Sequence, residues 1–317
     1  MKLISIIIPA KNEVSNITRL YQELTDVAGS LSQYGFEFLM IDNASTDGTA
    51  EACKAICANE TNWKYIKLSR NFGSEASLDV GLHHCTGDAA VVVFSDLQDP
   101  PRYIPDLVRE WENGSDIVFG IYSGQSHEKA WKRILVKFYY KLLQKISEPP
   151  MIPFAGDFRL YNRKTIDVLK KLKERNRYMR GLAQWIGFKT AHVHYERMPR
   201  LAGKSKAPPL YLFQFAFSVF VNFSDKPLKL FVWFGFTVLF ASVLFLIGII
   251  LNYFFNQTIP GLSSTNALIL VNIAVTSLGF GVLGEYISKI YSEVKGRPKW
   301  IIEESLNIKT DNYDIGL

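Results

Sequence analysis

Residues 89–93 read AAVVV, and FSDLQDPP follows at once. An apolar run of that length can be covered on both faces, as an inner strand of a parallel sheet is. Polar residues then crowd its end: Ser95, Asp96, Gln98 and Asp99, with Pro100 and Pro101 blocking continuation and able to open a following helix. In open α/β sheets ligands bind beyond the carboxyl ends of strands, so acidic residues there are candidates to hold a cation and, through it, a phosphate. Taken alone, the loop is equally well read as a solvated acidic turn with a helix cap.

The residues around that run decide the class of fold. Apolar strand-like stretches at 3–8, 36–41, 64–68, 89–94 and 116–119 alternate with helix-like stretches near 14–31, 48–58, 74–84 and 102–113. This order predicts a mostly parallel sheet with helices on both faces. A dinucleotide-binding Rossmann domain is disfavoured, because Pro9, Ala10, Lys11, Asn12 and Glu13 stand where its glycine-rich turn would follow the first strand. After the second strand, IDNASTDGTA puts Asp42 at the strand end, with Ser45 and Asp47 placed to cap free N–H groups of a helix. An Asp at such an end can accept from a base N–H or a ribose hydroxyl. Glu13, Asp42 and Asp96 thus fall on one edge of one sheet, which makes chance a poor explanation.

Composition enters where the soluble reading fails. Of 317 residues, 48% are hydrophobic and only 21% charged, more apolar than a soluble core needs. The excess is concentrated in two charge-free segments, 230–251 and 267–284. The first spans roughly 33 Å as a helix, enough for a hydrocarbon core, and the second reaches that length by continuing through Tyr286 and Ile287. Two transmembrane helices are expected. Lys226 and Lys229 precede the first, and Lys289, Lys295, Arg297 and Lys299 follow the second, whereas 252–266 holds no Lys or Arg, so both termini are expected in the cytoplasm. The opening MKLISIIIPA breaks at Pro9 and reads as a first strand rather than a targeting segment. Cys53, Cys57 and Cys85 suit a reducing compartment.

Three further stretches suit a partner that is anionic and apolar, although the first is equally well read as a core helix with a solvated charged face. Residues 129–146 form a basic amphipathic pattern, with Trp131, Ile134, Leu135, Phe138, Leu142 and Ile146 on one face. In 209–223, Gln214, Ser218 and Asn222 make a single polar stripe, as expected of a helix lying in the interface. Between them, Arg200, Gly203, Lys204, Ser205 and Lys206 make a basic loop. The net charge of +6 fits anionic lipid and phosphate; no nucleic-acid-binding motif occurs, so nucleic acid is not an expected partner. The five histidines lack a carboxylate or Cys at ligand spacing and are read as structural, and the stretch after Ile302 as a solvated end.

The runs SIIIPAKNE, IDNASTDGT, LSRNFG, SDLQDPP, GDFRLYNRK and ERNRYMRG together resemble the family 2 glycosyltransferases of GT-A fold. Within them, the resemblance is to the polyprenyl-phosphate glycosyltransferases related to dolichol-phosphate mannose synthase and to the bactoprenol glucosyltransferases. It covers nearly the whole chain, including GEYISKIYSEVKGRP after the apolar segments. The implied organisation is a cytoplasmic GT-A catalytic domain at 1–207, an interfacial helix at 208–227, two transmembrane helices within 228–291 and a cytoplasmic tail at 292–317. The implied place is the bacterial inner membrane, and homo-oligomer formation is compatible with it.

The resemblance also implies roles. Pro9, Glu13 and Asp42 match nucleoside-binding positions, and Asp96 and Gln98 match the ligands of a Mg²⁺ or Mn²⁺ ion. Asp96 thereby also belongs to the donor site, together with Arg200 and Lys206 in the loop that closes over the diphosphate. Asp157 in GDFRL falls beside the reacting centre, with Arg159, Lys132 and Arg133 as cations for the acceptor phosphate. The chain departs from the family at Phe94, where many members carry the first Asp of an Asp-x-Asp motif, which implies either weaker metal binding or a shell completed by Asp99 and water. It departs again at Tyr122, where relatives often carry an arginine.

The expected activity is inverting transfer of a hexose, glucose from UDP-glucose, to polyprenyl phosphate such as undecaprenyl phosphate. One alternative is another donor such as GDP-mannose; another is an inactive membrane anchor or assembly subunit, for which the missing first Asp speaks. A processive polysaccharide synthase would need more spans and a Gln-x-x-Arg-Trp motif, whereas here Gln184 and Trp185 adjoin.

Overall fold

The computed structural model describes residues 1–122, 152–175, 177–198, 233–238, 240–241, 244, 247–248, 251, 262–308 and 315–316. They belong to two compact units, Met1–Leu212 with Gly296–Leu317, and Phe213–Lys295.

The first unit is built on one sheet of eight strands: β1 (Leu3–Ala10), β2 (Gly35–Asp42), β3 (Trp63–Leu68), β4 (Ala89–Val92), β5 (Ile117–Tyr122), β6 (Ala155–Asn162), β7 (Thr190–Tyr195) and β8 (Ile302–Leu306). Their order is β7-β5-β6-β4-β1-β2-β3-β8. β1 pairs in parallel with β2 and β4, β2 with β3, and β5 with β7, while β6 and β8 run the other way. This is the mostly parallel α/β architecture read from the sequence.

Helices cover both faces because the inner strands are apolar on both. Every residue of β1 after Leu3 is buried, as is all of β4. The helices are α1 (Val14–Ser30), α2 (Thr49–Asn59), α3 (Ser74–His84), α4 (Ile104–Glu112), α5 (Arg163–Lys171) and α6 (Met179–Trp185). Ile4, Ile6 and Ile8 join one core with Ile17 and Leu20 of α1, Cys53 of α2 and Leu107 of α4. α1 reaches it with a stripe of Ile17, Leu20, Leu24 and Val27 at helical spacing. On the other face, Gly81 of α3 lies so close to Ile7 that a Cβ there would overlap the isoleucine side chain.

Regular pairing of β4 ends at Val92, two residues earlier than its apolar run predicts, and Pro9 explains why. Ile7 O accepts from Val93 N at 2.9 Å and Pro9 O from Ser95 N at 3.3 Å. The rung between them would run from the N–H of residue 9 to Val93 O, and proline has no such donor. Without that rung β4 peels away, and the chain turns into the 94–99 loop.

The stretch after Ile302, read from sequence as a solvated end, is instead a strand. β8 pairs antiparallel with β3 from Tyr65↔Leu306 to Leu68↔Ile302. The physical reason is its flanks: Trp300 is 1% exposed, and Glu303 and Glu304 pair with Lys67 at 2.9 Å and Lys54 at 2.6 Å. The amide of Asn307 also donates to Cys57 O and Trp63 O, at 2.7 and 2.8 Å.

In the second unit, α7 (Leu262–Val294) runs for 33 residues. Within it, Val271–Val294 has a mean hydropathy of 1.2, making it the one helix among the described residues long and apolar enough to cross a membrane. Val271, Ile273, Phe280, Leu283 and Ile287 are exposed on it. Of the expected first span, residues 233–238 and several after them are helical, and the rest lies outside the described residues, as do the expected amphipathic helices at 129–146 and 208–227.

A buried carboxylate holds the sheet edge remote from the loop at 94–99. Glu37 of β2 is 4% exposed and accepts from Ser5 Oγ at 2.5 Å, from Thr86 N at 2.6 Å, from Thr86 Oγ1 at 2.8 Å and from Lys64 Nζ. Burial pushes its pKa up, but the Lys64, Ser5 and Thr86 contacts outweigh that and hold the carboxyl below its usual range. Glu37→Ala, which leaves these donors without an acceptor, is expected to cost on the order of 3 kcal/mol in unfolding experiments on the solubilised protein. Because the folded-state pKa is depressed, the parent should lose this contribution as pH falls through the carboxylate range, and the variant should not.

Candidate active site

Six strands run one way and β6 runs back between two of them, so the carboxyl ends of β1 to β5 and β7 share one edge with the amino end of β6. That edge carries the loops at 11–13, 43–48 and 94–99, together with Asp157 and Arg197.

The first two loops are tied to each other. Asn12, at φ 55, donates its N–H to Ser45 Oγ at 2.9 Å and accepts from Thr46 N at 2.8 Å. Glu13 N donates to Thr49 Oγ1 at 2.9 Å. Asp47 accepts from Thr49 N at 3.1 Å and Val14 N at 3.3 Å, the capping role read from the sequence. Burial works against the Asp47 charge, but the Thr49 and Val14 donors hold its pKa below the ordinary value. Asp42 is 1% exposed; one oxygen accepts from Ser45 N at 2.8 Å and the other from Tyr65 OH at 2.9 Å. Burial and that carboxylate push the Tyr65 pKa far up.

The 94–99 loop is held from beneath. Ser95 Oγ donates to Pro9 O at 2.9 Å, and Gln98 O accepts from Met198 N at 2.9 Å. Asp96 is half-buried and accepts from Gln98 N at 3.2 Å, with Leu97 between them at φ 54. Asp99 is turned inward: it is 3% exposed, accepts from Tyr195 OH at 2.6 Å and lies 3.3 Å from Arg197 Nε. Burial raises its pKa against the opposing pull of Arg197 and Tyr195. Asp99 is therefore engaged by the protein, and Asp96 is the more open carboxylate of the loop.

Beyond it, Asp157 at the start of β6 accepts two bonds from one guanidinium, from Arg180 Nε at 2.9 Å and Arg180 Nη2 at 2.6 Å, with Arg159 Nη2 at 3.5 Å. Burial pushes its pKa up, but Arg180, then Arg159 and Arg197, bring it below the usual range. Arg159 is 1% exposed, donates to Gly156 O and lies over the Phe119 ring, so it supports Asp157 from within the fold. Arg197 lies over the ring of Tyr122, 5.3 Å from its centroid. Glu75, in the first turn of α3, accepts from Met179 N at 2.9 Å.

The residues chosen from sequence therefore divide in two. Pro9, Glu13, Asp42, Asp96, Gln98, Asp157 and Arg159 lie at or beside this edge, whereas Lys132, Arg133, Arg200 and Lys206 lie outside the described residues. Sequence reasoning missed Glu75, Arg180 and Arg197 as members of the site, and Tyr65 and Tyr195 as partners of Asp42 and Asp99. Arg180 stands in the quoted run ERNRYMRG, but nothing in its spacing ties it to Asp157. Among the described residues no three His, Cys, Asp or Glu side chains come together to hold a metal ion.

Comparison with known proteins adds the following. Residues 5–169 match the family described as glycosyl transferase family 2. The SfII prophage-derived bactoprenol glucosyl transferase of Shigella flexneri is 37% identical over 305 residues, covering 95% of this chain and 98% of that protein. The uncharacterized glycosyltransferase YkcC of Bacillus subtilis (strain 168) is 34% identical over 306 residues, covering 96% of this chain and 94% of that one. The prophage bactoprenol glucosyl transferase homolog of Escherichia coli (strain K12) is 36% identical over 303 residues, covering 95% and 98%.

Glu75 is a carboxylate of this edge on which burial and a like charge act together. Burial and the neighbouring Asp157 push its carboxyl up from the ordinary 4.5 to about 7, against Met179 N, Arg180 and Arg159. The folded protein then binds more protons than the unfolded chain between those two values, so stability falls as pH rises from 4.5 toward 7. Glu75→Gln keeps an acceptor for Met179 N and removes the titration. Thermal unfolding from about pH 5 to 8 should show a smaller decline for the variant than for the parent.

Proposed function

This chain belongs to glycosyl transferase family 2 and is a glycosyltransferase, and on that premise we propose that it transfers glucose from UDP-glucose to a polyprenyl phosphate. The observation that carries the acceptor and the sugar is the near-full-length match to a protein named for transferring glucose to bactoprenol. The nucleoside of the donor lies against Pro9, Glu13 and Asp42, and Arg200 and Lys206 take its diphosphate.

The edge of the sheet supports this division of labour. Asp96, a hard oxygen ligand with Gln98 beside it, would hold Mg²⁺ or Mn²⁺ together with oxygens of the donor diphosphate, since such ions take one or two carboxylates plus substrate phosphates. The ion supplies positive charge against the leaving nucleoside diphosphate. A phosphate oxygen of the acceptor attacks the anomeric carbon from the face opposite the diphosphate, the bond from that carbon to the diphosphate oxygen breaks, and the configuration inverts. The acceptor is a phosphate monoester with a second pKa of about 6, so near neutral pH it already carries the attacking anion. Asp157, with its lowered pKa and its pairing to Arg180, is a poor base and a good anchor. It orients Arg180, whose side chain is 36% exposed, toward the acceptor phosphate, with Arg159 buried behind and Lys132 and Arg133 as further cations.

The lipid acceptor requires a membrane. The exposed apolar residues of α7 supply one span and the charge-free segment at 230–251 a second, with both termini on the cytoplasmic face of a bacterial inner membrane.

Membranes bearing the full-length chain, incubated with labelled UDP-glucose and undecaprenyl phosphate, should yield a labelled, organic-extractable lipid. Retention of all label in the aqueous phase, with label from GDP-mannose or another donor entering the lipid, would replace the sugar and keep the acceptor. Asp96→Asn is expected to lower transfer by at least about a hundredfold, the scale on which a group acting on developing charge is felt. Substantial activity of the folded variant in saturating Mn²⁺ would remove Asp96 from this role.

Asp157→Asn separates the two roles open to that residue. An orienting carboxylate leaves a deficit that is constant across pH, whereas a general base leaves one that vanishes at high pH, where acceptor ionisation is complete. The constant deficit is the expected result.

A further inference from the structure

α3 carries two carboxylates one turn apart, and both reach the chain leading into α6. Glu75 accepts from Met179 N, as described above, and Asp79 is 4% exposed and pairs with Arg177 Nη1. Arg177 spends its remaining donors on the same stretch, with Nε to Glu174 O at 3.2 Å and Nη2 to Leu172 O. Between α5 and α6 the described residues form no helix or strand, so contacts of this kind are what hold the stretch in place. Arg180, the residue that grips Asp157, lies three positions beyond Arg177.

The other side of Asp79 is occupied by the C-terminal segment. Trp300 Nε1 donates to Asp79 Oδ2 at 3.0 Å, and Lys299 Nζ lies at 4.0 Å. The indole is enclosed by the rings of His83 and His84, at 5.8 and 5.7 Å, and by Gly316, where any Cβ would strike it. Arg297 O, from the same segment, accepts from Arg175 Nη1. The C-terminal segment thus meets the 172–180 stretch twice, directly through Arg175 and through Asp79 and Arg177.

We propose that Trp300 is a positioning residue for transfer: through Asp79 and Arg177 it holds the stretch that presents Arg180 to Asp157, and so sets the acceptor-phosphate site from the segment that leads into the last strand of the sheet. A buried carboxylate needs donors on both oxygens, and Trp300 supplies the one that Arg177 does not. The inference rests on the reading above that Arg180 and Asp157 face the acceptor.

The test uses the full-length protein in proteoliposomes with UDP-glucose and undecaprenyl phosphate. Trp300→Phe keeps most of the ring volume and removes the N–H donor; Arg177→Lys keeps the charge and removes the fork. Each is expected to raise the acceptor KM about tenfold, the scale of a hydrogen bond lost to a charged group, with the donor KM changed less than twofold. Simple loss of folded protein would lower kcat and leave both KM values alone. Because the two residues act through Asp79, the double variant should be no worse than the more severe single one. Unchanged acceptor KM values, or shifts that multiply, would overturn the proposal. If the intact chain proves inactive on the lipid, the functional reading falls, and amide hydrogen exchange decides the bracing by itself. Trp300→Phe should speed exchange at Met179, Arg180 and Gly181 and leave β1 unchanged, and equal rates in variant and parent would refute it.

Discussion

A strand buried on both faces cannot leave its sheet without breaking a ladder of hydrogen bonds, and here one missing donor breaks it. Pro9 stands in the central strand and lacks the N–H that Val93 O would have accepted. β4 therefore parts from β1 at the position where its side chains turn polar. The same proline keeps its carbonyl for Ser95, so the departing loop is released from regular pairing and still tethered. Asp96 owes its half-buried place beside the β1 loop to this combination of one lost bond and two retained ones.

Charge is balanced locally across the edge that results. Asp99 faces Tyr195 and Arg197, Asp42 faces Tyr65 and the Ser45 N–H, and Asp157 faces Arg180 and Arg159. Carboxylates closed in this way keep hydrogen-bond partners without a ligand, so the edge is arranged in advance of one. Glu75 is the exception to that charge balance. Its pKa is raised by burial and by the neighbouring charge of Asp157, which the bond from Met179 N only partly offsets.

The sequence made the parallel half of the sheet legible. β1 to β5 begin within about one residue of their apolar runs, because strands in the middle of a sheet are apolar over most of their length. β6 was hidden for the opposite reason: AGDFRLYN interleaves Asp157 and Arg159 with Phe158 and Leu160, and so reads as a motif rather than a strand. β8 was hidden by Glu303 and Glu304, whose charges suggest solvent although lysines on the neighbouring elements meet them. In the site, residues at strand ends could be named from position alone. Their partners could not, since Tyr65, Tyr195, Arg197 and Arg180 reach Asp42, Asp99 and Asp157 only across the folded sheet, and no local spacing records that.

The position of β8 has a consequence for how the protein is made. β3 would otherwise be the outer strand on its side, with a row of open N–H and C=O groups of the kind that recruits strands from other chains. Its covering strand arrives late, as the bond from Asn307 to Trp63 O spans 244 residues. During synthesis from the amino end the catalytic sheet must therefore wait, with that flank open, until the apolar helix α7 has left the ribosome. Completion of the sheet becomes a report that the hydrophobic part of the chain has already been produced, and a ribosome stalled within α7 would leave behind a domain with one adhesive side.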